Sequence, residues 1–270
     1  MSEPHLLFEK RGHVALITLN RPHVRNAISP ELGCRLADAF TEFGEDGDLR
    51  VAIVTGAGDE AFCSGGDLAL SMPLLTGARE PQDDWDRRFA ASGEITDRGV
   101  MRNFEIAKPV IAAINGFCIA GGMELMLGTD IRLAVPEATF GLPEVRRALI
   151  PFGGSMVRLP RQISYANAME ILLVGDRIDA ERALQIGLIN HIVPRGELLD
   201  RALDMAVRIA ENGPLAVRAV KETVLASSGL TLHEGYELED AAKERVMASR
   251  DAREGPRAFI EKRPAVYEGR

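Results

Sequence analysis

The sequence predicts an α/β fold that ends in a mostly helical third. Three observations predict it: short β-branched runs alternating with amphipathic helical stretches, strands that are apolar along their whole length, and longer helices from Arg195 onward. His13 to Asn20 and Arg50 to Gly58 read as strands, because Val, Ile and Thr crowd them and turn residues close them. Between them Ser29 stands as a helix N-cap with Pro30 in the first helical position, and Leu32, Leu36, Ala39, Phe40 and Phe43 recur on one face. The unit then repeats. A helical stretch from Trp85 to Ala107 leads to the apolar run Pro109 to Asn115, a helix opening after Gly122, and the strand Ile131 to Val135. Apolar strands between helices imply a sheet covered on both faces. After Pro151 the helices are short and broken by Pro160, Gly175 and Gly187. Pro73 to Arg88, rich in Pro, Gly and charge, is the expected mobile loop.

Composition narrows the function. A chain of 270 residues that is 46% hydrophobic builds a full core without disulfides or structural metal. Its net charge of −8, with no run of Lys or Arg, argues against a nucleic-acid partner. Cys34, Cys63 and Cys118 are odd in number and widely spaced, and the five histidines form no cluster, so reduced thiols and no metal are expected. No stretch of about 20 apolar residues is present to span a bilayer, and the N-terminus lacks the pattern of a secretory signal. A cytoplasmic protein without a membrane partner is expected.

Two glycine pairs, Gly65-Gly66 and Gly121-Gly122, follow strands at matching places in successive units. Taken singly, each reads first as a tight turn. Facing each other, two such turns would leave unpaired amides aimed at a developing negative charge, an oxyanion hole. Glu124 opens the helix after the second pair, and Glu144 follows Pro143 in "FGLPEVRRALIP". Each is a first-turn acid that is solvated or works. Both follow apolar, strand-like segments, which raises the second possibility. Ser64 and Cys63 flank the first pair without a GxSxG context and read as packing residues.

Together the segments "LNRPHVRNAIS", "VAIVTGAGDEAFCSGGDL", "KPVIAAINGFCIAGGMELMLGTDIRLAV", "TFGLPEVRRALIP", "GDRIDAERALQIGLINHIV" and "EGPRAFIEKRPAVY" resemble the crotonase, or enoyl-CoA hydratase/isomerase, superfamily over nearly the whole chain. The resemblance implies a spiral of repeated β-β-α units holding an acyl-CoA site over residues 1–195. It also implies a helical region over 196–270 that drives assembly into a homotrimer or a dimer of trimers. The ligand is then a coenzyme A thioester, with no further cofactor. The amides of Gly66 and Gly121 are expected to hold the thioester oxygen. Hydratases of the family carry two glutamates, and Glu124 and Glu144 stand at both positions. Water addition across the 2,3 double bond is therefore expected, with Glu124 ionised as base and Glu144 protonated as acid. Isomerisation, a specialised dehydration and a silent acyl-CoA-binding subunit are the rivals.

Two departures from the family pattern bear on binding. Where a basic residue often follows the Asp of the first glycine turn, "GGDLAL" has Leu68 and then Ala69, which leaves Arg21, Arg25 and Lys262 as candidates to hold the coenzyme beside Asp67 and Leu68. Phe152 stands where hydratases usually carry glycine beside the catalytic water, and its ring either reshapes the acyl pocket or enters the core.

Overall fold

The computed structural model describes residues 3–269. Strands β1 (Leu6–Arg11) and β2 (Val14–Leu19) form an antiparallel hairpin through Gly12, whose φ of 59° favours glycine. Helix α1 (Pro30–Glu45) follows. The Ser29 hydroxyl accepts from the Leu32 amide, and all five predicted apolar positions are buried. At its far end the buried Lys108 ammonium donates to the carbonyls of Phe43 and Asp46 and caps the helix C-terminus.

Three turns of one pattern come next. β3 (Val51–Gly56) pairs with β2, and β4 (Ala61–Cys63) starts a second sheet. The excursion that follows holds α2 (Ser71–Leu75), α3 (Asp84–Ala91) and α4 (Gly93–Gly99). β5 (Val110–Ile114) returns to the first sheet, β6 (Phe117–Ile119) to the second, and α5 (Gly121–Leu127) closes that turn. β7 (Ile131–Ala134) and β8 (Thr139–Gly141) repeat the step, followed by a 3₁₀ turn (Pro143–Arg147), α6 (Ser155–Gln162) and α7 (Tyr165–Val174). β9 (Ile178–Asp179), α8 (Ala180–Gln185) and β10 (His191–Ile192) complete the core. The sheets run β1-β2-β3-β5-β7-β10 and β4-β6-β8-β9. The first strand of each turn thus joins one sheet and the second strand the other, which is the expected β-β-α spiral. β5, buried at every residue, is the clearest of the predicted two-sided strands.

The remaining chain is α9 (Leu198–Ala210), α10 (Pro214–Ala226), α11 (Leu232–Met247) and α12 (Asp251–Glu261). α9 lies across β2, β3, β5 and β7 with Leu198, Ala202, Ala206 and Ala210 buried, so the first helix of this region is a layer of the core. Among the described residues no helix is long and apolar enough to cross a membrane.

Two expectations need correction. The helix predicted from Trp85 to Ala107 breaks at Ser92, whose extended backbone ends α3 and whose hydroxyl accepts from the Glu94 amide to start α4; beyond Gly99 the chain is irregular. The stretch Pro73 to Arg88, expected as a loop, is partly helical and internally hydrogen-bonded. α2 and α3 take its two ends, and Arg79 donates to the buried Asp86 carboxylate, which also accepts from the Gln82 amide.

Candidate active site

The two glycine turns pack backbone against backbone. A Cβ built on Gly65 would lie 2.7 Å from the Ala120 Cβ, and one on Gly122 would lie 2.3 Å from the Cys63 carbonyl oxygen. These two glycines are therefore needed for the turns to meet. Their neighbours differ. A Cβ on Gly66 would enter open space, and one on Gly121 would stand 3.5 Å from the Gly66 nitrogen. Ala120 has φ 52° and ψ −126°, an unusual backbone for a residue with a side chain, and this swings the Gly121 amide to the start of α5. Among the described residues neither the Gly66 nor the Gly121 amide donates to a protein acceptor. Both glycines line one cleft, and unpaired amides beside a cleft are donors available to a developing negative charge.

Arg21 and Asp67 sit behind this pair. The Arg21 guanidinium, 5% exposed, donates to Asp67 Oδ2 at 2.9 Å and to the Ala27 carbonyl at 2.6 Å. Asp67 Oδ1 accepts the amides of Ala69 and Leu70. Neither residue lines the cleft. Arg21 is thus committed to fixing the first glycine turn, and the expectation that it is free to hold the coenzyme does not stand.

Glu124, on the first turn of α5, is 6% exposed. Its Oε1 accepts from the Gly153 amide at 2.5 Å and from the Ser155 hydroxyl at 2.9 Å. Burial raises its pKa above the ordinary carboxylate range, while these donors and Arg158 lower it. A Cβ on Gly153 would lie 2.5 Å from Glu124 Oε2, so glycine is required there too. Glu144 stands in the 3₁₀ turn behind Pro143, with a buried Oε2 that has no hydrogen-bond partner. Burial pushes its pKa up to about 7, and the nearby Glu124 charge adds to that push against its own backbone amide and Arg147. Glu124 accepts from donors on another segment, whereas Glu144 has only its own backbone amide and leaves Oε2 unpartnered, so the ionised form is better supported at Glu124 than at Glu144.

Both glutamates and both free amides line one cleft of about 260 Å³. Ile28, Leu36, Met72, Phe89, Val100 and Ile150 make much of it apolar. Phe152 also lines it and is 47% exposed, so its ring does not enter the core. Leu68 is exposed on the same cleft. Elsewhere on the lining, the Arg25 and Arg177 guanidinium groups lie over the Phe117 ring, 5.1 and 5.2 Å from its centroid. Arg25 also donates to Glu60. Lys262 is exposed at the left-handed cap of α12 and does not line the cleft of its own chain. Among the described residues no group of three or more His, Cys, Asp or Glu side chains is placed to hold a metal ion.

Sequence reasoning missed Gly153, Ser155, Phe117 and Arg177. A signal existed for the first two: Gly153-Gly154 is a third glycine pair placed just before a helix, like the pair that precedes Glu124.

Residues 9–270 match the family model described as enoyl-CoA hydratase/isomerase. An enoyl-CoA hydratase of Mycobacterium tuberculosis is 40% identical over 269 residues, covering 100% of this chain and 98% of the relative. A carnitinyl-CoA dehydratase of Proteus mirabilis is 39% identical, covering 96% and 97%. The solved structure of an enoyl-CoA hydratase from Bacillus anthracis superposes with a TM-score of 0.88 at 37% identity, covering 98% of this chain and 100% of that one. The chain belongs to the enoyl-CoA hydratase/isomerase family and has its crotonase fold.

Proposed function

We propose that the protein hydrates 2-enoyl-CoA thioesters to 3-hydroxyacyl-CoA. The observation that carries this reading is the unequal pair of carboxyls on one cleft: Glu124 with Oε1 held by two donors, and Glu144 with a buried, unpartnered Oε2. The thioester carbonyl would sit between the Gly66 and Gly121 amides, placing C3 toward Glu124. Glu124 takes a proton from water as its oxygen bonds to C3. The electron pair of the double bond moves to the thioester oxygen, where enolate charge is stabilised by the two amides. Glu144 then delivers its proton to C2 and the carbonyl re-forms. Removing one such amide donor typically costs about 10² to 10³ in rate.

The coenzyme's phosphates are assigned to Arg25 and Arg177, braced on Phe117, with Leu68 along the pantetheine and Lys262 available only to a neighbouring subunit. Asp67 serves by holding the Gly66 turn. Phe152 would limit the acyl chain. The largely exposed Leu232, Tyr236, Phe259 and Ile260 on α11 and α12 support a homotrimer or dimer of trimers, which a monomeric sedimentation profile would overturn.

The relative named carnitinyl-CoA dehydratase gives a second reading, loss of water from a 3-hydroxyacyl thioester through the same two carboxyls in reverse. One experiment addresses both and the isomerase as well. A panel of 2-enoyl-, 3-enoyl- and 3-hydroxyacyl-CoA thioesters is incubated in heavy-oxygen water and analysed by mass. Labelled 3-hydroxyacyl-CoA from a 2-enoyl thioester supports hydration. A shifted double bond without label is isomerisation, and binding without turnover of any member leaves a silent subunit.

A further inference from the structure

The Glu124 carboxylate is held asymmetrically. The Gly153 amide and the Ser155 hydroxyl both donate to Oε1, the Ser155 backbone amide adds to the donors that favour the charged carboxylate, and no side chain among the described residues donates to Oε2. Ser155 opens α6 immediately after Gly154, whose φ of 108° only glycine adopts readily, and it is fully buried. Its hydroxyl has one proton and two acceptors in range, Glu124 Oε1 at 2.9 Å and the Pro151 carbonyl at 3.4 Å. The shorter bond, to a carboxylate, is the stronger one.

We propose that Ser155 is a positioning residue, whose hydroxyl pins Glu124 by Oε1 and leaves Oε2 as the single oxygen presented to the reacting water. The proposal rests on the hydratase reading for its catalytic consequence, but the hydrogen bond itself does not. An anchored oxygen fixes the carboxyl plane at the start of α5 and lets only one lone-pair direction sweep the cleft. Because the bond goes to the charged form, its loss raises the proton affinity of Glu124. The groups that face Glu124 are Glu144 from the 3₁₀ turn and Arg158 from α6, the latter backed by Arg102 and Asp97. Cys63 and Cys118, on the strands beneath α5, stay neutral, since burial pushes the Cys63 thiol up to about 12 and the Cys118 thiol well above its ordinary range.

The test follows the Glu124 carboxyl directly. Full-length protein carrying ¹³C-carboxyl glutamate is titrated by NMR in a Glu144→Gln background, with Glu124→Gln identifying the resonance. Ser155→Ala is expected to raise the Glu124 midpoint by about one pH unit, and Ser155→Thr to return it most of the way, given the strength usual for hydrogen bonds to charged groups. An unmoved midpoint in folded Ser155→Ala overturns the proposal. In the enzyme with Glu144 intact, Ser155→Ala should also carry the acid limb of the kcat/KM profile to higher pH while KM changes little. A drop in kcat with an unmoved limb overturns it as well. If the unsubstituted protein turns over no enoyl thioester, the hydratase reading fails while the NMR titration still decides the role of Ser155.

Discussion

Glu124 and Glu144 are the same residue type on one cleft, both pushed up by burial, and their surroundings differ in kind. Glu124 sits on the first turn of a helix packed inside the spiral, with a neighbouring helix start delivering an amide and a hydroxyl to one oxygen. Glu144 sits on a short 3₁₀ turn at the cleft wall, with a buried oxygen that nothing satisfies. Burial alone makes both poor acids. Donors favour the charge on Glu124 over Glu144, and that is the division into base and acid that the proposed hydration needs.

The division is tested most strongly by removing either member. Glu124→Gln and Glu144→Gln should each fold and bind a 2-enoyl-CoA, and each should lose about 10² to 10⁴ of the hydration rate, the usual worth of one proton transfer. Single-turnover absorbance of the conjugated thioester reads the loss. Full activity in either variant would take that residue out of the mechanism.

Gly153→Ala is the next largest. The added methyl would stand 2.5 Å from Glu124 Oε2 and 2.8 Å from its Cδ, so the carboxyl must turn away. A displacement near 1 Å at a reacting group costs about 10²-fold. The expected result is a fall in kcat of that order together with a lower thermal midpoint, because a buried carboxyl gives up its donors, and an unaffected kcat would mean that Glu124 tolerates both orientations.

The pH dependence is smaller and has a definite sign. The Glu144 carboxyl is raised from 4.5 to about 7 in the folded protein. Between those values the folded state holds a proton that the unfolded state has lost. Its contribution to stability is therefore present below about 4.5 and is lost as pH rises through about 7. Glu144→Gln should flatten that part of the urea-midpoint profile. If Glu144 is the acid of the proposed hydration, that activity should decline as pH rises past the same value.

Much of this contrast was legible in the sequence and some was not. The α1 cap at Ser29, the buried positions Leu32 to Phe43 and the apolar β5 follow from local pattern, because a helix face and a strand interior are each written within a few residues. The glycine pairs were visible, but their division of labour was not: Gly65 and Gly122 make room for the other turn, and Gly66 and Gly121 carry the free amides. That depends on contacts across more than 50 residues. Arg21 was misread for the same reason, since its partner Asp67 is 46 residues away. Ser155 and Gly153 reach Glu124 across about 30 residues. Phe152 was undecided, because "IPFGGS" does not tell on which side of the turn the ring falls.

The smallest expected effect concerns the cationic part of the cleft lining and separates binding from chemistry. Arg177 is exposed, with no carboxylate partner among the described residues, and lies across Phe117 from strand to solvent, whereas Arg25 on the same ring is paired with Glu60. A guanidinium held over a ring has part of its freedom already restricted and loses less on meeting a phosphate. If the coenzyme's phosphates meet this pair, Arg177→Ala should raise KM for an enoyl-CoA about two- to fivefold, as exposed ion pairs usually do, with kcat unchanged. Arg25→Ala should do less, because the phosphate competes there with Glu60. Both effects should shrink as salt approaches about 1 M, where the screening length falls to about 3 Å. A pantetheine thioester lacking the nucleotide should be indifferent to both substitutions. A KM rise that persists with that truncated substrate would place Arg177 near the acyl group and reverse the direction in which the ligand runs along the cleft.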